Sequence, residues 1–227
     1  MKRKIYISII AVFVSLGINA QVLNNDMIRA MDEFNELKRI FPKDNSGYNG
    51  SPYLNDSFVP GFIEMKDGKR YKNILLRYNI HNDQVEFESE GETMAIDNPD
   101  RIARVRIDKQ EFYYFSFYEN KELKKGYLEM LRDGKYALYL RHRVILKAGS
   151  DAGAYQEATQ PTFHLQKPAH FIARKDSNPV KVKSTDDILS AYKDLEEPLK
   201  KYAGKKNLKL KKEEDYINLI DYLNKGQ

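Results

Sequence analysis

Short segments of alternating apolar and polar residues, joined by tight turns, constrain the fold of this chain more than any other feature. Two of the turns contain Asp-Gly, at Asp67-Gly68 and at Asp133-Gly134, and this pair supplies the positive φ angles that a two-residue hairpin requires. Alternation matches a strand, whose successive side chains point to opposite faces. Because no crossover helix separates the neighbouring segments, the sequence predicts an antiparallel β-meander. The predicted strands cover residues 57–65, 70–79, 84–89, 92–96, 101–107, 110–118, 124–131, 136–147, 162–174 and 180–182.

Two of the predicted strands, 110–118 and 136–147, are apolar or aromatic on both faces. In the first, Phe112 and Tyr114 alternate with Tyr113, Phe115 and Phe117. A strand of this kind lies inside a sheet that is covered on both sides. The sheet is therefore expected either to carry a second layer or to curl into a barrel-like shape.

Amphipathic helices are predicted at both ends of the β region. Residues 26–41 place apolar side chains three or four positions apart, and Pro42 follows them. Beyond the strands, Ser184 and Asp194 are suitable N-caps for helices that end near Tyr192 and Ala203. Residues 211–223 form a third helix with one apolar stripe.

The predicted fold class is α+β and mainly β: an antiparallel β-meander, as a curved or barrel-like sheet, with an N-terminal amphipathic helix and C-terminal helices. We expect a signal peptide over residues 1–20, followed by an N-terminal helix and linker over 21–56. The antiparallel β domain covers 57–183. A helical segment over 184–227 is expected to pack on that domain.

The first twenty residues have the pattern of a secretory signal peptide. Lys2, Arg3 and Lys4 precede an uncharged, mostly apolar run over 5–16, and the small Ala20 suits cleavage before Gln21. The apolar run is shorter than the roughly 20 residues that a membrane-spanning helix needs. The sequence therefore predicts an exported protein whose mature chain, 21–227, has no transmembrane segment.

The absence of cysteine excludes several kinds of chemistry. The chain contains no Cys, so it forms no disulfide, has no cysteine nucleophile and offers no thiolate to a metal. A lipoprotein also needs a Cys at its new N-terminus, and acylation there is excluded for the same reason.

The net charge of +5 overstates how basic the mature protein is. Loss of Lys2, Arg3 and Lys4 with the signal peptide would remove most of the excess, and a nearly neutral protein is a poor candidate for nucleic-acid binding. Charge is unevenly distributed, however. Residues 81–100 contain seven acids and no Lys or Arg, and residues 199–212 contain seven lysines and no acid. These runs are interpreted as partner surfaces, as surfaces that contact each other, or simply as solvated faces.

A search for catalytic motifs yields one partial match. Ser190 and Lys193 have the Ser-x-x-Lys spacing of penicillin-recognising enzymes, but Ser190 is placed near a helix end and no Lys-Thr-Gly follows. The acidic run lacks the ligand spacing of an EF-hand. We therefore predict no catalytic, cofactor-binding or metal-binding residue and no cofactor, and we favour a protein without enzymatic activity.

The four histidines, His81, His142, His164 and His170, are the remaining candidates for a metal or a general base. On one extended strand His164 and His170 would share a face but would lie about 20 Å apart. A bend at Pro168 would shorten that distance. The alternative is that all four are ordinary half-buried side chains. The small-residue loop 148–160 is long for a connection, which is typical of a mobile or functional segment.

Several short motifs make the chain similar to a known group of proteins. The motifs that carry the resemblance are Ser51-Pro52-Tyr53-Leu54-Asn55-Asp56 leading into Phe58, Asp67-Gly68-Lys69-Arg70-Tyr71, Leu76-Arg77-Tyr78-Asn79, Lys201-Tyr202-Ala203, Asn207-Leu208-Lys209 and Lys211-Lys212-Glu213-Glu214-Asp215. The chain thereby resembles uncharacterised secreted proteins of Bacteroidota over most of 50–224. The resemblance implies a location in the periplasm or on the outer surface of a Gram-negative cell, and it implies no site residues.

Three functions are consistent with these observations. The favoured one is a non-enzymatic cell-envelope protein that binds or scaffolds another envelope protein. The alternative is a carrier or sensor of a small apolar or sugar ligand held by the curved sheet. The third is a hydrolase whose site residues are dispersed along the sequence.

Overall fold

The structure, a computed structural model, describes residues 37–40, 47–89, 91–96, 98–152, 157–205 and 209–225. These residues form thirteen strands, three α-helices and two one-turn 3₁₀ helices, at Pro99–Arg101 and Lys193–Leu195. The strands are β1 (Leu37–Ile40), β2 (Val59–Met65), β3 (Arg70–Asn79), β4 (Gln84–Ser89), β5 (Glu92–Ile96), β6 (Ile102–Ile107), β7 (Gln110–Glu119), β8 (Glu122–Arg132), β9 (Tyr136–Arg141), β10 (Val144–Lys147), β11 (Thr162–Leu165), β12 (Ala169–Arg174) and β13 (Val180–Val182). The helices are α1 (Thr185–Ala191), α2 (Glu196–Lys205) and α3 (Glu213–Lys225).

Eleven of the described strands form one sheet that partly closes on itself. Their order is β1-β5-β4-β3-β2-β6-β7-β13-β12-β9-β8, and β7 also pairs with β8. Strands β7, β8, β9, β12 and β13 therefore form a closed ring, which we call the small barrel. The predicted curved, antiparallel sheet is confirmed. The exception is the seam between β13 and β7, which pair in parallel at Val180 and Tyr118.

Three apolar clusters explain why two strands are apolar on both faces. Strands β2 to β7 curve around the first cluster, which includes Phe112 of β7. The opposite face of β7 turns Phe117 into the second cluster, inside the small barrel. Strand β9 contributes Tyr139 to the barrel interior and Leu138 to the third cluster, under the helices. Both strands are thus buried on two sides, as their composition predicts.

The C-terminal helices cover the outer face of the small barrel. Leu195, Leu219 and Ile220 are fully buried against Leu138 and other side chains of β9, β12 and β13. Helix α1 begins with a capping box, in which the Ser184 side chain accepts from the Asp187 backbone and the Asp187 side chain accepts from the Ser184 backbone. The helices are thereby fixed to one side of the sheet.

Two of the predicted strands are interrupted where the chain leaves the small barrel. The segment predicted over 136–147 divides into β9 and β10 around His142, and the segment predicted over 162–174 divides into β11 and β12 before Pro168. Proline has no backbone N–H to donate to a sheet, so it favours such a break. Strands β10 and β11 pair only with each other among the named strands. We call this two-stranded element the ribbon.

The N-terminal helix predicted over 26–41 lies mostly outside the described residues, as does the predicted signal peptide. Residues Leu37–Ile40 are described, and they form an edge strand rather than a helix, with Leu37 opposite Ile96 of β5. An unpaired sheet edge offers backbone partners that outweigh a weak helix preference. Within the described chain, no helix combines the length and apolar character needed to cross a bilayer.

Candidate functional site

His142 is the histidine with the closest polar contact. Its Nε2 lies 2.6 Å from a carboxylate oxygen of Glu129, and both side chains are only 10% exposed. Glu129 orients the imidazole as the acid of a catalytic triad would. In the part of the chain that is described, however, no serine or threonine hydroxyl bonds to His142. The pair therefore lacks the nucleophile that such a triad requires.

The other three histidines lie on separate elements. His170 stacks in parallel on Tyr216 of α3, with ring centroids 3.9 Å apart, whereas His81 meets Phe163 edge to ring at 5.2 Å. His164 is exposed on the ribbon. Across the described residues, no three His, Asp or Glu side chains are grouped to hold a metal. The structure therefore does not bring the histidines together.

Burial lowers the pKa of His170. Its Nε2 is shielded from solvent without a hydrogen-bond partner, and burial lowers the pKa of the imidazole to about 4. A cavity of about 310 Å³ lies beside the ring and is lined by Lys167, Lys183, Lys211 and Glu213 among others. His170 is therefore neutral at physiological pH.

Acids of the 81–100 run bind cations of the β-sheet. Glu86 is 1% exposed and pairs with Arg77 at 2.7 Å, while Asp100 pairs with Lys125 at 2.9 Å. In the lysine run, Lys200 pairs with Glu196 of its own helix at 2.8 Å. These side chains therefore stabilise local structure rather than join the two runs.

Glu119 is the centre of the densest charge cluster in the described residues. It ends β7, its side chain is 4% exposed, and four cations surround it. Lys181 lies 2.6 Å from the carboxylate, Lys124 3.2 Å, Arg143 3.3 Å and Arg141 4.0 Å. The four cations come from different parts of the fold. Lys181 belongs to β13 and Lys124 to β8, whereas Arg141 ends β9 and Arg143 follows it.

The charges around Glu119 keep it ionised. Burial raises the pKa of the carboxyl, but hydrogen bonds from Lys181 and Lys124 and the charge of Arg143 outweigh burial and lower the pKa to about 2. A group with such a low pKa is a poor general base at neutral pH. The cluster therefore serves to position lysines and arginines at one end of the small barrel.

An open cavity of about 610 Å³ adjoins this end of the barrel. It lies between the β7–β8 turn, β13 and α1, and it includes Ser190 but not Lys193. Ser190 lies in the last turn of α1, where the sequence predicted it, and it has no catalytic partner among the described residues. The cavity is lined by Tyr118, Asn120, Lys121, Val180, Lys181, Lys183, Asp187, Ser190 and Ala191.

The interior of the small barrel is filled with side chains. Phe117, Leu128 and Phe171 are fully buried there, and Phe117 contacts Phe171 edge to face with centroids 5.0 Å apart. Small barrels are commonly packed in this way. This observation counts against a ligand inside the barrel.

The ribbon exposes apolar side chains that belong to none of the three apolar clusters. Ile145 is 43% exposed, Leu146 38% and Leu165 68%. The loop 148–160 extends the ribbon through an antiparallel bridge between Ser150 and Thr159, and residues 153–156 of this loop lie outside the described residues. The exposed apolar residues therefore lie on an arm next to the barrel.

Comparison with known proteins provides no family assignment. No protein-family model, curated protein or solved structure matches this chain.

Sequence patterns single out only Ser190 among the residues that surround the cavity and Glu119, and they do so for a different chemistry. Glu119, Arg141 and Lys181 are distant along the chain, and only closure of the barrel brings them together. A weak signal was present in Arg141-His142-Arg143, three potentially cationic residues at the end of a strand that is otherwise apolar.

Proposed function

We propose that this chain is a non-enzymatic binding module of the cell envelope and that it binds a partner protein along the ribbon. The observation that carries the proposal is the exposure of Leu146 and Leu165 on one face of a two-stranded element that stands outside the main sheet, with Ile145 exposed on the opposite face. Exposed, grouped apolar side chains are typical of surfaces that bind other proteins.

The backbone of the ribbon offers a second means of attachment. Strand β10 pairs with β11 on one side, and no strand among the described residues pairs with its other side. An extended segment of a partner can add itself to such an edge through main-chain hydrogen bonds. Apolar side chains of the added segment would then cover Ile145 and Leu146.

The charge around the ribbon indicates the chemistry of the partner. Residues 134–150 and 158–175 contain no acid and include Arg143, Lys147 and Lys167, and the acids nearest to the ribbon along the chain are Asp151 and Glu157 in the loop at its tip. Oppositely charged surfaces attract each other during encounter and fix the register of binding. We therefore infer that the partner presents an extended, apolar segment with acidic residues.

Export to the envelope rests on residues 1–20 and on the resemblance to secreted proteins of Bacteroidota. A basic start, an apolar run and Ala20 are the parts that signal peptidase substrates share. Fractionation of cells that make the full chain tests this part of the proposal. We expect a periplasmic or surface product that begins at Gln21, and an unprocessed cytoplasmic product would contradict export.

Site-specific photocrosslinking tests the ribbon as the docking surface. A photoreactive residue replaces Leu165 in one variant and Leu75 in another, because Leu75 is 40% exposed on β3 and lies away from the ribbon. We expect the Leu165 variant, in its own envelope, to form one discrete protein adduct that the Leu75 variant does not form. The crosslinked peptide of the partner is expected to be apolar and acidic.

A variant that keeps the photoreactive residue at position 165 and adds Ile145→Glu with Leu146→Glu provides the matching loss-of-contact test. Introduced carboxylates would repel an acidic partner and remove apolar contact, so the adduct should be lost while the thermal unfolding temperature stays near that of the wild type. Adducts of equal yield from both positions, or a Leu165 crosslink only to residues of the same chain, would contradict the proposal.

A further inference from the structure

The open cavity at the end of the small barrel combines three kinds of side chain that face one space. One wall is the turn between β7 and β8, another is β13, and the third is α1. An aromatic ring comes from Tyr118, two ammonium groups from Lys121 and Lys183, and short polar groups from Asn120 and Ser190. The volume of about 610 Å³ is within the range of small-molecule sites.

Lys121 has a backbone conformation that is unfavourable for a residue with a side chain. Asn120 and Lys121 have φ angles of 52° and 68°. Turns with positive φ at both central positions favour Asn followed by Gly, because a side chain at the second position is strained. Lys121 thus occupies a position where glycine would be more stable. Strained residues of this kind are found preferentially at functional sites.

The two free cations give the cavity its charge. Neither Lys121 nor Lys183 forms an ion pair with an acid among the described residues, and both are exposed. Lys181 also borders the cavity, but its ammonium group is held by Glu119 at 2.6 Å. The Asp187 carboxylate accepts hydrogen bonds from the backbone N–H groups of Lys183 and Ser184 at 2.7 and 3.0 Å. The cavity therefore has an excess of positive charge.

Tyr118 supplies a flat apolar surface in the same cavity. Its side chain belongs to the outer face of β7 and is 41% exposed, unlike Phe117 in the packed interior. An exposed tyrosine ring can stack on the C–H face of a sugar, and its hydroxyl remains in water. The exposed side chains of Asn120 and Ser190 have no hydrogen-bond partner in the described residues, so they are free to bind hydroxyl groups.

We propose that this cavity binds an anionic saccharide, one whose carboxylate or sulfate group lies between Lys121 and Lys183 and whose ring stacks on Tyr118. Asn120 and Ser190 would bind the sugar hydroxyls. The site is separate from the ribbon, and it requires no ligand in the packed barrel interior. It adds a small-molecule specificity to the protein-binding function proposed above.

Calorimetric titration of the mature chain, 21–227, tests the site with four probes. They are trigalacturonate as the carboxylated sugar, neocarrabiose 4-sulfate as a sulfated sugar without a carboxylate, maltotriose as the neutral sugar, and inorganic phosphate. We expect at least one acidic sugar to bind at least tenfold more tightly than both maltotriose and phosphate. Which of the two acidic sugars binds more tightly identifies the anionic group. The binding constant should fall as salt is added, because salt screens the lysines.

The variant Lys121→Gly separates binding from folding. Glycine relieves the strain at a φ of 68°, so the unfolding temperature should be unchanged or higher, while binding of the acidic sugar weakens at least tenfold. Tyr118→Ser should weaken binding to a similar extent. The matched control is Lys109→Gly, because Lys109 is an exposed turn lysine at the opposite end of β7, and it should bind like the wild type.

Three results would overturn the proposal. The first is that neither acidic sugar binds the wild type. The second is that phosphate or maltotriose binds as tightly as the acidic sugars. The third is that Lys121→Gly, folded and at least as stable as the wild type, retains full affinity. The ribbon variants should keep their sugar affinity, so failure of one proposal can be distinguished from failure of the other.

Discussion

Two ionisable side chains, the buried Glu119 and the half-buried His170, have pKa values well below their ordinary ones, and they affect stability in different pH ranges. Glu119 is held charged by the cations around it, and His170 is held neutral by burial. A group whose pKa differs between the folded and unfolded states makes stability depend on pH between those two values. Each group therefore leads to a separate prediction.

Glu119→Gln is expected to destabilise the protein strongly at neutral pH. The change leaves Lys181, Arg143, Arg141 and Lys124 close together without their shared counter-charge, and removal of one partner from a buried ion pair costs about 3 kcal/mol or more. Chemical denaturation at pH 7 measures the loss. The control is Glu122→Gln, because Glu122 is 71% exposed and its pairing with Lys124 at 3.3 Å should contribute less than about 1 kcal/mol.

The low pKa of the Glu119 carboxyl predicts that the free energy of unfolding decreases in acid. The folded pKa of about 2 lies below the ordinary value of 4.5, so the stabilising contribution is fully present above pH 4.5 and is lost as pH falls toward 2. It amounts to about 3 kcal/mol for a shift of this size. In Glu119→Gln this part of the pH dependence should be absent, and an unchanged profile between these pH values would contradict the assignment.

The low pKa of His170 predicts that the free energy of unfolding falls already between pH 7 and pH 5. Its folded pKa of about 4 lies below the ordinary 6.5, so the unfolded chain takes up the proton first as pH falls. From pH 7 to pH 5 the free energy of unfolding should drop by about 2 kcal/mol on account of this group. Lys167, Lys181, Lys183, Lys211 and Glu213 border the adjoining cavity, and the lysines add to the cost of a second cation there.

Comparison of His170→Phe with the wild type measures this contribution. Phenylalanine preserves a flat ring against Tyr216 but cannot be protonated, so its stability should change less between pH 7 and pH 5. The exposed His164 provides the control, since His164→Gln should leave the drop as large as in the wild type. A drop of equal size in His170→Phe would show that another group is responsible.

At the level of elements, β2 depends on a glycine where three strands approach closely. Gly61 lies opposite Ile74 of β3 and Ile107 of β6, and the β2–β3 register shifts directly after it. A Cβ at this position would overlap the backbone carbonyl oxygen of Arg106 and the side chain of Leu76. The extra residue of the bulge is Asn73, which adopts a φ of 58°, as Asn tolerates better than most residues.

Gly61→Ala is therefore expected to cost about 2 kcal/mol or more, because the clash involves backbone that cannot move without breaking the sheet. Thermal and chemical denaturation measure the loss. The matched control, Gly47→Ala, places a Cβ in open space and should change stability by less than about 0.5 kcal/mol. Equal stability of the two variants would contradict this account of the β2 packing.

The elements that were predicted correctly are those with local signals. Strands β3, β4, β5 and β13 begin and end where alternation and turn residues placed them. Pairing β1 with β5, by contrast, depends on a sheet edge that no local pattern reveals. The break between β9 and β10 also follows from tertiary structure, because the chain at His142 turns toward Glu129.

The candidate cavity was beyond the reach of sequence patterns for a similar reason. Lys121, Lys183 and Ser190 come from a turn, from the end of a strand and from a helix. The two lysines look like ordinary surface residues in their own segments, and Ser190 was notable only for its spacing from Lys193. Only Asn120-Lys121 carried a local signal, because a hairpin turn between Glu119 and Glu122 would have been expected to contain glycine.

At the scale of the whole molecule, β7 and β8 are shared by both halves of the sheet. Phe112 and Tyr127 belong to the first apolar cluster, whereas Phe117 and Leu128 belong to the barrel interior. A change in one half must therefore affect the other through these two strands. We expect the described sheet to unfold as one cooperative unit.

Leu219→Ala tests this cooperativity from the far side of the barrel. Leu219 is fully buried on the inner face of α3, and its truncation should cost about 3 kcal/mol. Hydrogen exchange is expected to show a matching loss of protection in β3, which Leu219 does not contact. If protection fell only in α3 and β9, the two halves would be independent units.

The parallel seam between β13 and β7 also has a consequence for the order of events in folding. Val180 and Tyr118 are about 60 residues apart along the chain, and contacts between such distant residues form late because a long loop must first be closed. Synthesis delivers residue 180 well after the hairpin of β7 and β8 is complete. The cavity lies on this seam, so it exists only after the ring has closed. A sugar held there would recognise finished molecules alone, and its binding would measure the fraction of chains that have completed their folding.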